Sequence, residues 1–386
     1  MTPLAARAAR IEPFHVMEVV KQAAALEGAG RSVIHLSIGE PDFTATVQVR
    51  KAAALAIEQG CTQYTPALGL PQLRERIAEW YATRFGASVD PAAIAVTAGA
   101  SGALLLACAA LVERDAEVLM PDPSYPCNRH FITAFEGRAR LVPTGPENRF
   151  QLDAALVEQH WGAATRGVLV ASPSNPTGTS IASRELGKLI AAVHARDGFV
   201  ISDEIYLGLS YDDIASTALA LSDDVIVINS FSKYFAMTGW RIGWVVMPPN
   251  LRSPLERLAQ NLYICASSVA QHAALACFEP ESLEVYEAQR EEFRRRRDFL
   301  VPALEQLGFG VPVRPDGAFY VYADISRFSD DSDRFVESVL QATGVCMVPG
   351  KDFGVHSPQR FVRISYATSY ERLSEAVERL RRYLVP

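Results

Sequence analysis

The sequence predicts an α/β fold, a mostly parallel sheet flanked by helices, joined to a smaller α+β unit. Three observations lead there. Between about residues 90 and 250, short β-branched runs alternate with helical stretches. Those runs lack apolar/polar alternation, which marks strands buried on both faces, as in parallel sheets covered by helices. After Pro280 the pattern changes to one long charged helix followed by two separated strands.

Taken in order, residues 16–26 carry a helical apolar pattern and 33–36 a short strand, both expected to pack with the C-terminal unit. The strands of the large sheet are read at 93–97, 117–120, 167–171, 199–202, 225–229 and 242–246. A helix starts near Glu281, strands follow at 317–323 and 361–366, and an amphipathic helix runs from about Ser369 to Leu384. At 386 residues two domains are expected, a large one over 43–280 and a small one formed by 1–42 plus 281–386. No repeat or Gly/Ser linker interrupts them.

Composition narrows the function classes. Hydrophobic residues make up 49% and charged residues 21%, with no apolar run near the roughly 20 residues of a membrane helix. The first ten residues hold two arginines but no apolar segment follows, so a secretory signal is not expected and a cytoplasmic location is. A net charge of −7 argues against nucleic-acid binding. The run Arg294 to Arg297, interleaved with glutamates, reads as a solvated helix face. Six scattered cysteines form no Cys-x-x-Cys pair, so neither zinc nor a disulfide framework is expected.

The segment Ser230-Phe-Ser-Lys-Tyr-Phe-Ala-Met-Thr-Gly-Trp-Arg-Ile-Gly243 puts Lys233 just past a buried-strand pattern and Arg241 eight residues on. A desolvated lysine beside cations loses its proton and becomes an amine able to attack a carbonyl. Only five of the 37 Lys and Arg residues are lysine, and Lys21, Lys51 and Lys188 fall in amphipathic helix patterns, Lys351 in a Pro-Gly loop.

Other motifs cluster where strands end, which is where parallel sheets bind ligands. Thr97-Ala-Gly-Ala-Ser-Gly102 opens an Ala/Leu-rich helix and reads either as an anion cradle or as a plain strand-to-helix turn. Ser172-Pro-Ser-Asn-Pro-Thr-Gly178 is an Asn-Pro turn in which Asn175-Pro176 is a candidate cis bond. Asp203 is either a helix cap or a carboxylate able to hold a proton on a cationic heterocycle. Tyr125, on a Pro-bounded turn, either packs or covers a flat ligand. Arg363 has apolar neighbours and needs an anion, from the protein or from a substrate.

Together these motifs resemble the class I/II aminotransferases, pyridoxal-phosphate enzymes of fold type I, over nearly the whole chain. The resemblance implies a seven-stranded-type large-domain sheet and a Schiff base between Lys233 and pyridoxal 5'-phosphate, after which Lys233 moves a proton at the substrate Cα. It implies that Asp203 pairs with the ring nitrogen, Asn175 and Tyr206 with the phenolic oxygen, and that Tyr125 stacks on the ring. Arg241, Ser230, Ser232 and the backbone of Ala100 and Ser101 would hold the phosphate. Arg363, with Gly39 in Ile38-Gly-Glu-Pro-Asp42, and with Asn175, would bind the substrate α-carboxylate. Tyr64, in Gln63-Tyr-Thr-Pro, matches a tyrosine that reaches the neighbouring subunit's phosphate, so a homodimer is expected.

The implied reaction moves the amino group of an L-amino acid to a 2-oxo acid, with 2-oxoglutarate the expected acceptor. A carbon–sulfur β-lyase on the same fold stays open, and so does a non-catalytic regulator, although no helix-turn-helix fits the N-terminal segment. For a distal substrate carboxylate the candidates are Lys351, His15 and Arg129. Phe14, Val16 and Met17 are candidates for an apolar pocket wall or for ordinary helix packing.

Overall fold

The computed structural model describes residues 2, 4–13, 16–212 and 214–384, without the Met17 side chain. The strands are β1 (Ile34–His35), β2 (Ile94–Thr97), β3 (Glu117–Asp122), β4 (Arg138–Pro143), β5 (Thr165–Ala171), β6 (Phe199–Asp203), β7 (Ile226–Ser230), β8 (Gly243–Val246), β9 (Tyr320–Asp324), β10 (Val345–Cys346), β11 (Val348–Pro349) and β12 (Phe361–Ser365). Seven of them form one sheet in the order β2-β8-β7-β6-β5-β3-β4. Only β8 runs against its neighbours, pairing antiparallel with both β2 and β7. The other pairings are parallel.

This topology positions the site. Thr97, Ala171, Asp203 and Ser230 are the last residues of their strands; parallel pairing brings the last three to one edge, and Thr97 joins them because it and Ser230 both pair with Gly243 of β8. Because β8 is reversed, it starts at that same edge, and Arg241 just before it lands among them. The strands β2, β7 and β8 are buried along their whole length, as their runs of Ile and Val dictate. The strand β4, absent from the sequence reading, is the sheet edge, and its Arg-bearing face is only half covered.

The C-terminal region contains the antiparallel sheet β11-β12-β9. The N-terminal strand β1 pairs in parallel with β10, and Ser365 N donates to Leu36 O, so the N-terminal segment is stitched to this region. The helix Pro280–Leu307 connects the two regions.

The expected solvated run on that helix is corrected at two of its four residues. Arg294 and Arg295 do reach back to Glu291 and Glu292 on the surface. Arg296 and Arg297 are buried, 4% and 2% exposed. Arg296 Nη1 donates to Asp42 Oδ1 at 2.8 Å and its guanidinium lies over Phe43 and Phe293. Arg297 donates to Pro315 O at 3.0 Å and pairs with Asp212. Helical periodicity places four consecutive residues around most of a turn, so a run of four cannot share one face.

All six cysteines are free, with Cys108, Cys277 and Cys346 buried. Among the described residues no cluster of metal-ligating side chains exists, and no helix is long and apolar enough to cross a membrane.

Candidate active site

A cleft of about 600 Å³ opens at the carboxyl edge of the large sheet. It is lined by eleven residues anticipated from sequence: Gly39, Ala100, Ser101, Tyr125, Asn175, Asp203, Tyr206, Ser232, Lys233, Arg241 and Arg363. Ser230 lies just beneath, buried, its Oγ donating to Ile242 O at 3.0 Å and sharing a hydroxyl–hydroxyl bond of 2.8 Å with Ser232 Oγ.

Lys233 follows β7 directly and sends Nζ across the cleft to Gly39 O at 2.6 Å. Enclosure lowers its ammonium to about 8, a shift that Arg363 and Arg241 reinforce and Glu40 opposes. At about 8 roughly a tenth of this amine is unprotonated at pH 7, far more than for an ordinary lysine.

Asp203 closes β6 with its carboxyl 5% exposed. Burial pushes it up to about 6 against the opposing pull of the Ile205 N–H, the Asn128 side chain and Lys233. Asp203 caps no helix, since the next short helix, Leu207–Leu209, starts after Tyr206; Ile205 N donates to its Oδ1 at 3.2 Å in a local turn, and Asp203 lines the cleft. Asn128, not foreseen, lies in the first turn of the helix Pro126–Ala134, three residues after Tyr125. That spacing puts it on the helical face next to Tyr125's turn, the one sequence signal it carried.

On the opposite side, the helix Gly99–Leu111 begins with Ala98 at its cap, where no side chain satisfies the first-turn N–H groups. These donors lie beside Arg241, an arrangement suited to cradling an anion. Two glycines make the cradle possible. A Cβ on Gly99, whose φ is +72°, would lie 2.5 Å from Arg241 Nη2, and one on Gly243 would lie 2.9 Å from Ala100 N. Arg241 itself takes a left-handed φ of 53° and anchors Nη1 on Thr238 O at 2.9 Å.

Arg363, in the middle of β12, is 3% exposed. Its Nη1 donates to Asn175 Oδ1 at 3.0 Å and its Nη2 to Ser37 O at 2.6 Å, whereas Nε is buried with no protein partner. The guanidinium lies 4.5 Å from the centre of the Tyr320 ring and 5.0 Å from that of Phe353. Tyr320, also not foreseen, bonds its hydroxyl to that of Tyr206 at 2.9 Å and so ties Tyr206 to Arg363. Burial raises both phenols, which stay protonated donors. The bonds Ser172-Pro173, Asn175-Pro176 and Asp122-Pro123 are cis.

Several candidates lie elsewhere. Tyr64 is outside the cleft of its own chain and 79% exposed. Lys351 Nζ pairs with Asp333 Oδ1 at 2.6 Å, and Arg129 sits 3.9 Å from Glu12; neither lines the cleft. Val16 does line it, together with Val20, Leu104 and Phe131. Phe14, His15 and the Met17 side chain lie outside the described residues.

These groups suit a pyridine ring bearing a phosphate. A buried carboxyl short of a cation, an uncapped helix start beside an arginine, and a lysine of lowered basicity occupy one cleft. Comparison with known proteins agrees. The family pattern of aminotransferase class I and II matches residues 31–380. The valine–pyruvate aminotransferase of Mycobacterium tuberculosis is 39% identical, covering 100% of this chain and 99% of the relative. A crystal structure of an aminotransferase from the same organism superposes with a TM-score of 0.95 at 39% identity, covering 100% of this chain and 99% of that one. The aspartate aminotransferase of Thermus thermophilus with maleate gives a TM-score of 0.93 at 35% identity over 100% of both chains. The chain belongs to the class I and II aminotransferases, pyridoxal-phosphate-dependent transferases of the aspartate aminotransferase fold.

Proposed function

We propose that the protein moves the amino group of an L-amino acid to a 2-oxo acid in two alternating half-reactions at this cleft, with Lys233 as the proton carrier. The observation that carries this reading is Lys233 itself, its amine lowered to about 8 and in the same cleft as Asp203 and Arg363. Pyridoxal phosphate, when bound, supplies a carbon that amines attack and a ring that takes up the electron pair left when Cα loses its proton.

The chain's own groups do the rest. Arg241, Ser230, Ser232 and the N–H groups of Ala100 and Ser101 hold the phosphate. Asp203, kept in place by Asn128 and the Ile205 N–H, holds a proton on the ring nitrogen. Asn175 and Tyr206 donate to the phenolic oxygen, and Tyr125 covers the ring. Arg363, with Gly39 and Asn175, grips the substrate α-carboxylate and so orients the Cα–H bond. Lys233, with its amine free, would take the proton from the substrate Cα and hold it for return to the other side of the imine nitrogen.

The domain division at 43–280 and 1–42 plus 281–386 sets Lys233 and Arg363 on different domains. A homodimer in which Tyr64 reaches the neighbouring cleft accounts for that exposed tyrosine. A cytoplasmic setting fits free cysteines throughout. Kinship fixes the reaction more than the side chain, because the named relatives act on valine or on aspartate.

The test omits the acceptor. Purified holoenzyme mixed with one amino acid should release one equivalent of 2-oxo acid per site and stop, then resume when a second oxo acid is added. Continuous pyruvate and ammonia from a donor alone would sink transamination in favour of a lyase.

A further inference from the structure

A second carboxylate on a substrate needs a cation, because a charge leaving water unpaired is costly. Among the described residues the cleft is lined by three cationic side chains, Lys233, Arg241 and Arg363. Each is engaged in the reading above: the cofactor's carbon, its phosphate and the substrate's α-carboxylate. Two carboxylates, Glu40 and Asp203, line the same cleft, and Glu40 is near enough to Lys233 to oppose its deprotonation. The remaining wall includes Val16, Val20, Ile38, Leu104 and Phe131. Of the candidates for a distal clamp, Lys351 pairs with Asp333, Arg129 lies outside the cleft lining at 3.9 Å from Glu12, and His15 lies outside the described residues.

The surface beside the cleft carries no substitute. Residues 59–73 and 258–278 contain no Asp, Glu, Lys or Arg. Gln271 Nε2 donates to Thr65 Oγ1 at 2.9 Å and Ser268 Oγ to Gln63 O, so the two segments form one edge. Ala67, Leu68 and Tyr263 pack on the core cluster that holds Ala100 and Leu104, which places this edge next to the cleft. It exposes Tyr64, Leu262 and Ile264. The edge around Tyr64 thus presents apolar side chains, and neither of its two segments holds an Asp, Glu, Lys or Arg.

We infer that the side-chain subsite takes amino acids and 2-oxo acids with a single carboxylate and an apolar side chain, so that the acceptor is a monocarboxylic 2-oxo acid and not 2-oxoglutarate. This inference rests on the transamination reading and narrows its substrates.

Two measurements on the holoenzyme test it. In the donor half-reaction, L-valine, L-leucine and L-phenylalanine should exceed L-aspartate and L-glutamate by about 100-fold or more in kcat/KM, and pyruvate should exceed 2-oxoglutarate likewise. Independently of turnover, titration with the unreactive acids 4-methylpentanoate and glutarate, read from the cofactor absorbance, should show tighter binding of the monocarboxylate. Aspartate, glutamate or 2-oxoglutarate performing within about tenfold, or glutarate binding more tightly, overturns the inference. Should no donor transfer its amine, the transamination reading fails, and the titration decides the subsite by itself.

Discussion

Replacing Arg363 by lysine keeps the charge and removes the planar fork. In the native site the fork serves Asn175 Oδ1 at 3.0 Å and Ser37 O at 2.6 Å while it lies over Tyr320. An ammonium at the end of a flexible stem cannot serve both acceptors and also grip a carboxylate with two parallel bonds. One lost charge-assisted bond to the substrate costs about 1.5–3 kcal/mol, and loss of the paired geometry adds about 1 more. A total near 3 kcal/mol is about a 100-fold fall in kcat/KM. It should appear mainly in KM, because the grip is made in ground and transition states alike. Stability should fall by about 1–3 kcal/mol, since one buried acceptor loses its donor, and cofactor loading should be unchanged. The assay is steady-state kinetics of Arg363→Lys beside a denaturation curve. A kcat/KM within about threefold of wild type, with the stability loss present, would show that the arginine only braces Ser37 and Asn175 and would refute the reasoning.

Two further outcomes follow from groups in the same cleft. Asp203 is raised by burial from 3.8 to about 6, so the folded cofactor-free protein binds the extra proton across that window and loses stability as pH climbs through it. Wild type should thus forfeit about 3 kcal/mol on Asp203's account between pH 4 and 7, whereas Asp203→Asn should not, and equal pH slopes in urea denaturation would contradict the burial argument. Mixing Tyr64→Phe with Lys233→Ala protein by refolding should restore about a quarter of wild-type activity, because half the dimers are hybrids with one intact site each. No gain over the separate variants would mean that Tyr64 serves no neighbouring site.

The large sheet was legible because doubly buried strands leave unbroken Val and Ile runs such as Val225 to Ile228. The edge strand β4 was not, since its Arg-Ala-Arg start looks like a loop and only pairing with β3 makes it a strand. The reversal of β8 leaves no local trace, because a buried strand reads alike in both directions. Lys233, Arg241 and Asp203 stood out as polar groups at strand ends. Asn128 and Tyr320 did not: each acts through another side chain, Asp203 or Tyr206, and such service depends on contacts 75 or more residues apart in sequence, as with the 114-residue separation of the two tyrosines. The Arg296 and Arg297 anchors were hidden by a composition that looked uniformly solvated.

The order in which the chain is synthesised gives the Arg363 contacts one more meaning. Every group facing the proposed cofactor, from Ala100 to Arg241, lies in one stretch of the chain and is available once the large sheet is translated. The clamp that grips a substrate draws on Ser37, Asn175 and Arg363, and the last of these emerges only with β12. A nascent chain therefore acquires a place for the reactive carbon well before it can choose what meets it. The final twenty-four residues, from Arg363 onward, carry both that clamp and side chains of the shared core, such as Ile364 and Leu373, so substrate choice and the closing of the core arrive together.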